Sequence, residues 1–104
     1  MVPALLFDFD TLLDMYIVYI IQHSNNREIY IGFTKNLNQR IASHNLHTNK
    51  ATRRRDGGEW ILVYAEAYRS EPDARERESK LKHHGSAKRG VLKRIMRSLI
   101  EDKK

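Results

Sequence analysis

The sequence predicts a small α+β domain, and three observations point to this fold class. Three segments rich in β-branched and aromatic residues are typical of strands, and three others carry helix start signals with apolar residues at helical spacing. With 104 residues, the chain has room for one modest core. We therefore expect one domain over residues 15–104, with strands flanked by about three helices.

The first two strands are predicted to form a β-hairpin. Residues 16–21 and 28–33 are mostly apolar or aromatic, and a polar stretch separates them. Side chains alternate between the two faces of a strand, so a hairpin loop of even length puts residues 19 and 30 on the same face. The sequence therefore predicts that Tyr19 and Tyr30 converge.

A helix is predicted directly after the hairpin, with Thr34 as its N-cap and Lys35 as its first residue. Helical spacing sorts its side chains into an apolar stripe of Leu37 and Ile41 and a polar stripe of Asn36, Arg40 and His44. Arg40 and His44 are therefore expected on one face.

Residues 45–59 lack periodicity and are predicted to form a long basic loop, and residues 60–68 a third strand. The basic side chains of the loop are candidate contacts to a polyanion; they are Lys50, Arg53, Arg54 and Arg55. Trp60 opens the third strand as a core or loop-packing residue, with base stacking as the alternative.

Two helices are predicted after the third strand. Ser70 begins a capping box for the first helix, which Gly85 would close. On this helix Ala74, Glu78 and Leu81 are spaced so that Glu78 falls on a core-facing stripe. Ser86 would cap the last helix, whose broad apolar face consists of Val91, Leu92, Ile95, Met96, Leu99 and Ile100.

The charge balance favours a polyanionic partner. Lys and Arg total 19 against 13 Asp and Glu, which gives a net charge of +6 and a pI of about 9.8. Nucleic acid is the commonest such partner. No window approaches the roughly 18 apolar residues of a membrane span, and the absence of cysteine excludes disulfides, thiolate zinc sites and a cysteine nucleophile. We expect a cytoplasmic protein.

Residues 1–14 differ from the rest because they contain three Asp and no Lys or Arg. The stretch around Asp8 and Asp10 resembles the nucleophile motif of haloacid-dehalogenase-type phosphatases. The glycine expected between Asp10 and Thr11 is missing, however, and that fold needs a much longer chain. We therefore expect a leader or an extra strand here, with a phosphatase as a distant alternative.

Several side chains suit phosphodiester hydrolysis, which needs an activated water and neutralisation of phosphate charge. An inward carboxylate such as Glu78 can hold one hard cation such as Mg²⁺. Arg40 offers a planar fork for phosphate oxygens. Tyr19, Tyr30 and His44 can orient or transfer protons near the attacking water.

In this order the residues resemble the GIY-YIG nucleases, in particular the small stand-alone members related to the N-terminal nuclease of the bacterial excision-repair incision subunit. Residues 17–19 match the first signature, residues 30–32 the second and Arg40 the family arginine, while residues 44–45 match a His-Asn pair and residues 74–82 the glutamate helix. The resemblance covers residues 15–100. It implies a three-stranded antiparallel sheet flanked by helices and, by analogy, a role in DNA repair.

The resemblance also implies roles for individual residues. Glu78 would bind one Mg²⁺ or Mn²⁺, Arg40 would stabilise phosphoryl charge, and Tyr19 would act on the water as general base directly or by orientation. Tyr30 and His44 would support proton transfer, and the products would carry 5′-phosphate and 3′-hydroxyl ends. The chain departs from the pattern at Ile17, which replaces a glycine, at Phe33, which replaces a lysine, and in lacking a late asparagine.

Other interpretations of these residues stay open. Glu78 could be a surface ion-pair partner of Arg75 or Lys82, each one helical turn away. Lys82 is also a candidate nucleic-acid contact. The main alternative function is a non-catalytic nucleic-acid-binding module on the same fold. If the chain is a nuclease, its DNA could be branched, nicked or damaged, and a protein partner or homodimer could position it.

Overall fold

Three strands form one antiparallel sheet in the computed structural model, which describes residues 14–46 and 57–100. The strands are β1 (Tyr16–His23), β2 (Ile29–Thr34) and β3 (Trp60–Tyr68), in the order β2-β1-β3. Because β1 is central, both of its faces are covered, and this explains its continuous apolar sequence. The predicted α+β class and three-stranded antiparallel sheet are confirmed.

The register of the hairpin brings the two tyrosines together as predicted. Tyr19 lies opposite Gly32, and Ile21 lies opposite Tyr30. The backbone N–H of His23 donates to the carbonyl of Glu28 at 2.9 Å, which closes a loop over residues 24–27. This loop has an even number of residues, so Tyr19 and Tyr30 project from the same face of the sheet.

Helices cover both faces of the sheet. Helix α1 (Leu37–Asn45) packs Leu37 and Ile41 against the β1 face that carries Tyr19. Helices α2 (Glu71–His83) and α3 (Gly85–Arg94) pack against the opposite face, where Val18 and Ile20 are fully buried. Within residues 14–46 and 57–100, none of the helices is long and apolar enough to cross a membrane.

The N-terminus of α1 differs from the prediction. Asn36, not Thr34, is the N-cap, and its side chain accepts a hydrogen bond from the Gln39 N–H at 3.0 Å. Thr34 remains the last residue of β2, and its hydroxyl accepts from the Asn36 N–H at 3.0 Å. Strand β2 therefore ends at Thr34, one residue later than expected. Asn36 caps the helix and is not part of its polar stripe.

The junction of α2 and α3 also corrects the prediction. Ser70 caps α2 as expected, with its side chain accepting from the Asp73 N–H. The helix ends at His83, however, and Gly85 begins α3 instead of closing α2. The extended residue His84 flanks both helices and offers no side-chain cap, so the predicted cap at Ser86 is wrong.

The last helix is shorter than its apolar pattern suggested. Helix α3 ends at Arg94, a 3-10 turn follows at Met96–Ser98, and Met96 is 67% exposed. The chain leaves the helix toward the sheet, where the Ile100 N–H donates to the buried side-chain oxygen of Gln22 at 2.7 Å. This hydrogen bond satisfies the buried amide of Gln22 and so stabilises the departure of the chain from the helix after Arg94.

A polar cluster joins α2 to β3. The Arg77 guanidinium donates to both carboxylate oxygens of Glu66 at about 3 Å, and the Tyr64 and Tyr68 hydroxyls donate to the same carboxylate. Burial alone would raise the pKa of Glu66, but these hydrogen bonds outweigh it and the pKa is lowered. Burial and the bond to Glu66 raise the pKa of Tyr68 to about 12.

Candidate active site

A groove of about 520 Å³ runs along the edge strand β2 between α1 and α2. It collects three of the predicted site residues, one from each element: Tyr30 from β2, Arg40 from α1 and Glu78 from α2. The complete lining among the described residues is Tyr16, Tyr30, Phe33, Thr34, Lys35, Arg40, Glu71, Arg75 and Glu78. The fold therefore joins residues that are far apart in sequence.

The remaining two predicted residues, Tyr19 and His44, meet beside Tyr30, which lines this groove. The Tyr19 hydroxyl and the His44 Nε2 form a hydrogen bond of 2.8 Å, and both side chains are fully buried. The Tyr30 ring lies 5.1 Å from the His44 ring and 6.5 Å from the Tyr19 ring, between centroids. Tyr30 thus contacts both members of the buried pair and also lines the groove.

Burial fixes the protonation state of this pair. It raises the pKa of Tyr19, and the nearby Tyr30 adds to the rise; Arg40 opposes it and Glu78 adds a smaller increase. Burial also lowers the pKa of His44, and the Arg40 charge lowers it further. At neutral pH the pair is therefore a neutral phenol and a neutral imidazole.

Gly32 makes room for the Tyr19 ring. A Cβ atom at position 32 would lie 2.3 Å from the Tyr19 Cζ and hydroxyl oxygen, which is far inside van der Waals contact. Only glycine lets Tyr19 cross the strand toward His44. Gly32 was expected only as part of the second family signature, although a glycine within a strand already indicates a close approach.

Asn45 fixes the end of α1 that carries His44. Its side-chain amide donates to the Trp60 carbonyl at 3.1 Å, and its side-chain oxygen accepts from the Trp60 N–H at 2.6 Å. Trp60 is 3% exposed and its ring contacts the rings of Tyr30 and His44, so its predicted core role is confirmed. Asn45 thus links the helix to β3 in a way that its sequence position alone did not reveal.

Glu78 lies at the edge of the core-facing stripe. Ala74 and Leu81 are fully buried, whereas the Glu78 side chain is 19% exposed and opens into the groove. Its carboxylate pairs with the Lys82 ammonium at 3.0 Å, which confirms one of the expected ion pairs. Arg75 pairs with Glu71 instead, at 2.8 Å.

The donor set around Glu78 fits a single hard cation. Residues 14–46 and 57–100 contain no cluster of three His, Asp or Glu side chains, which would be needed for an all-protein cage. Mg²⁺ commonly binds through one or two carboxylates and fills its other positions with water and phosphate oxygens. The single, partly exposed carboxylate of Glu78 matches this second mode.

Of the predicted nucleic-acid contacts, Lys82 lies among the described residues. Lys82 lies beside the site, with its Nζ 6.0 Å from the centroid of the Tyr30 ring. Residues 1–13, and with them Asp8 and Asp10, lie outside the described residues, as do the basic side chains of the loop, which are Lys50, Arg53, Arg54 and Arg55.

The fold and the groove suit the class of proteins that hydrolyse phosphodiesters. The family model described as the GIY-YIG catalytic domain matches residues 15–90. The chain therefore belongs to the GIY-YIG nuclease family, and membership implies nuclease activity on a nucleic-acid substrate. Comparisons with curated proteins and with solved structures found no match.

Proposed function

We propose that the chain is a metal-dependent DNA endonuclease that works in the groove between α1 and α2. The observation that carries this proposal is the Tyr19–His44 hydrogen bond, which lies beside Tyr30 in the wall of the groove that Arg40 and Glu78 also line. A buried phenol beside a neutral imidazole serves proton transfer, and a guanidinium with a carboxylate serves phosphate chemistry.

Tyr19 and His44 act together in this proposal as a proton relay. A phenol with a raised pKa removes a proton from water only if it passes its own proton to a base. The neutral imidazole of His44 is that base, because its pKa is lowered and its Nε2 lies 2.8 Å from the Tyr19 hydroxyl. Tyr30, on the groove wall, orients the attacking water toward Tyr19.

The other groups stabilise charge on the phosphate. The Arg40 guanidinium, which lines the groove, donates to phosphoryl oxygens as negative charge develops. Glu78 would hold one Mg²⁺ or Mn²⁺, which would supply positive charge beside the phosphate and lower the pKa of water. Attack by water with departure of the 3′ oxygen leaves 5′-phosphate and 3′-hydroxyl ends.

Cleavage of end-labelled DNA with Mg²⁺, Mn²⁺ or a chelator tests the proposal. We expect Glu78→Ala to lower the single-turnover rate at least about 10²-fold while DNA binding persists. Glu76→Ala is the matched control, because Glu76 lies on the same helix and its side chain is 67% exposed. If wild type kept its cleavage rate in the chelator, or if Glu78→Ala cut as fast as wild type, a metal role for Glu78 would be contradicted.

One observation favours the alternative of a non-catalytic nucleic-acid-binding module. The Lys82 ammonium already neutralises Glu78 at 3.0 Å, so a metal ion would compete with an internal cation for the carboxylate. In that case the chain would bind DNA with either metal yet leave every substrate intact. The same cleavage and binding assays therefore separate the two functions.

A further inference from the structure

We infer that the half of the groove remote from the Tyr19–His44 pair is a stacking site for an unpaired nucleotide of the substrate. This inference rests on the proposed DNA endonuclease function and adds the substrate class. The site consists of two aromatic rings, Tyr16 and Phe33, each covered by a cation, Lys35 and Arg75 respectively. All four residues line the groove that contains Arg40 and Glu78.

The two rings form a fixed platform on the sheet. Tyr16 begins β1, and Phe33 on β2 lies opposite Val18, so their side chains share one face. The rings are nearly parallel, with 11° between their planes and 6.1 Å between their centroids. Both pack from one side against the core that contains Val18 and Ile20, and strand residues held in this way cost little entropy to order on binding.

Arg75 extends this platform toward the groove. Its guanidinium carbon lies 4.4 Å from the Phe33 centroid, and Glu71 holds the same group through a 2.8 Å ion pair. The Arg75 side chain is nonetheless 60% exposed. Bases stack on guanidinium planes as well as on aromatic rings, so Phe33 and Arg75 together offer a layered surface to a base.

The ion pair and the cation–π contacts of this arrangement add only modestly to the stability of the fold. Exposed ion pairs at i,i+4 on a helix, such as Glu71 with Arg75, contribute little to folding. What the arrangement does offer is a flat ring system beside positive charge, and a nucleotide supplies the complementary parts, a flat base and an anionic phosphate. The groove volume of about 520 Å³ is in the range of ligand pockets.

The base that stacks here must be unpaired. In a duplex the faces of each base are covered by its neighbours, whereas a flap, a single-stranded tail or a branch exposes a base to a protein platform. Because the platform and Arg40 share one groove, the unpaired nucleotide lies next to the phosphate that is cut. We therefore assign flapped or branched DNA as the substrate class.

Binding to matched flap and duplex DNA tests this assignment. The parent is the full chain with Glu78→Gln, which we expect to prevent cutting because the carboxylate is removed, and fluorescence anisotropy gives its Kd for a 5′-flap and for a duplex of the same sequence. We expect the flap to bind about tenfold more tightly. Arg75→Lys keeps the charge but loses the planar group, so it should abolish most of this preference by weakening flap binding much more than duplex binding.

Two further variants make the result specific. Arg89→Lys is the control for Arg75→Lys, because Arg89 is exposed on α3 and is not among the groove-lining residues. Phe33→Leu keeps apolar volume against the core and removes the ring. A 2-aminopurine placed in the flap should be quenched by stacking in the parent and about severalfold less by Phe33→Leu, with thermal unfolding confirming that this variant is folded.

Each outcome separates the platform from the nuclease. Equal affinity for flap and duplex in the parent, or an equal loss on both DNAs in Arg75→Lys, would overturn the platform even if wild type cuts DNA. A flap preference that depends on Arg75, in a chain that cuts nothing, would uphold the platform and overturn the endonuclease.

Discussion

At the scale of single residues, the candidate site depends on contacts that leave almost no free space. The Tyr19 ring passes over Gly32 and reaches His44, and both side chains are fully buried. Buried, close-packed groups have fixed positions, which is what proton transfer over a single hydrogen bond requires. Small changes at these positions should therefore affect cleavage strongly.

Gly32→Ala should displace the Tyr19 ring, because the new methyl group would lie 2.3 Å from its hydroxyl oxygen. We expect a loss of stability of about 1–3 kcal/mol and a fall in cleavage rate of about 10²-fold. Thermal unfolding and single-turnover cleavage measure the two effects. Gly90→Ala is the control, since nothing lies within 4 Å of a Cβ there, and unchanged cleavage by Gly32→Ala would refute the close approach.

The pH dependence of cleavage should report His44. Its imidazole accepts a proton only while neutral, and its pKa is lowered from the ordinary 6.5. Activity should therefore persist below pH 6.5 and fall only at more acidic pH, as His44 becomes protonated. A pH–rate profile of wild type and His44→Gln tests this: the acid limb should be missing in the variant, and an identical limb in both would assign it to another group.

At the scale of elements, the ends of helices and strands position the site more than their interiors do. The last turn of α1 carries His44, and Asn45 at its end bonds to both backbone groups of Trp60, the first residue of β3. Asn45 and Trp60 are 15 residues apart in the sequence. This link sets the distance between the helix and the sheet at the point where the Tyr19–His44 pair forms.

Asn45→Ala should loosen this link. Two hydrogen bonds to partly buried backbone groups are lost, so we expect about 1–3 kcal/mol less stability and slower cleavage with little change in DNA affinity. Asn38→Ala, on an exposed position of the same helix, is the control. If Asn45→Ala were as stable and as active as Asn38→Ala, the link would have no positioning role.

The sequence predicted elements well where the signal was local. The bounds of β3, the Ser70 cap and the shared face of Tyr19 and Tyr30 follow from strand alternation and cap chemistry. The end of the last helix was not predicted, because it depends on the hydrogen bond that the Ile100 N–H donates to the buried side chain of Gln22 on β1. A distant partner of this kind leaves no pattern in the local sequence.

The same distinction holds for the site. Tyr30, Arg40 and Glu78 were expected from spacing and from the family resemblance, and the structure brings them to one groove. Phe33 counted in the sequence only as a departure from the family lysine. Its stacking against Tyr16 and Arg75 depends on strand register and on a helix from the far end of the chain.

At the scale of the whole molecule, the helices and the sheet are joined by polar as well as apolar contacts. The carboxylate of Glu66 on β3 receives bonds from Arg77 on α2 and from two tyrosine hydroxyls. This cluster lies apart from the groove, since none of its members lines it. It therefore bears on the stability of the fold and not on the chemistry of the site.

Stability should fall at alkaline pH because of this cluster. Tyr68 has its pKa raised to about 12 in the folded state, against about 10 when unfolded. Its contribution is therefore complete below pH 10 and is lost as pH rises toward 12. Urea unfolding followed by Trp60 fluorescence gives the free energy of unfolding at pH 9 and at pH 11. This free energy should fall less between the two pH values in Tyr68→Phe than in wild type, and an equal fall would refute the role of Tyr68.

The rate of a single turnover by Tyr19→Phe tests the central claim most directly. The substitution removes only the hydroxyl that bonds to His44 and keeps the ring above Gly32. With flap DNA and Mg²⁺ or Mn²⁺, we predict that Tyr19→Phe cuts at a rate at least about 10²-fold below that of wild type and binds DNA with the same affinity. The control Tyr68→Phe should cut at a rate close to that of wild type. If Tyr19→Phe cut DNA at the wild-type rate, the claim that this groove and its buried pair form the nuclease site would be contradicted.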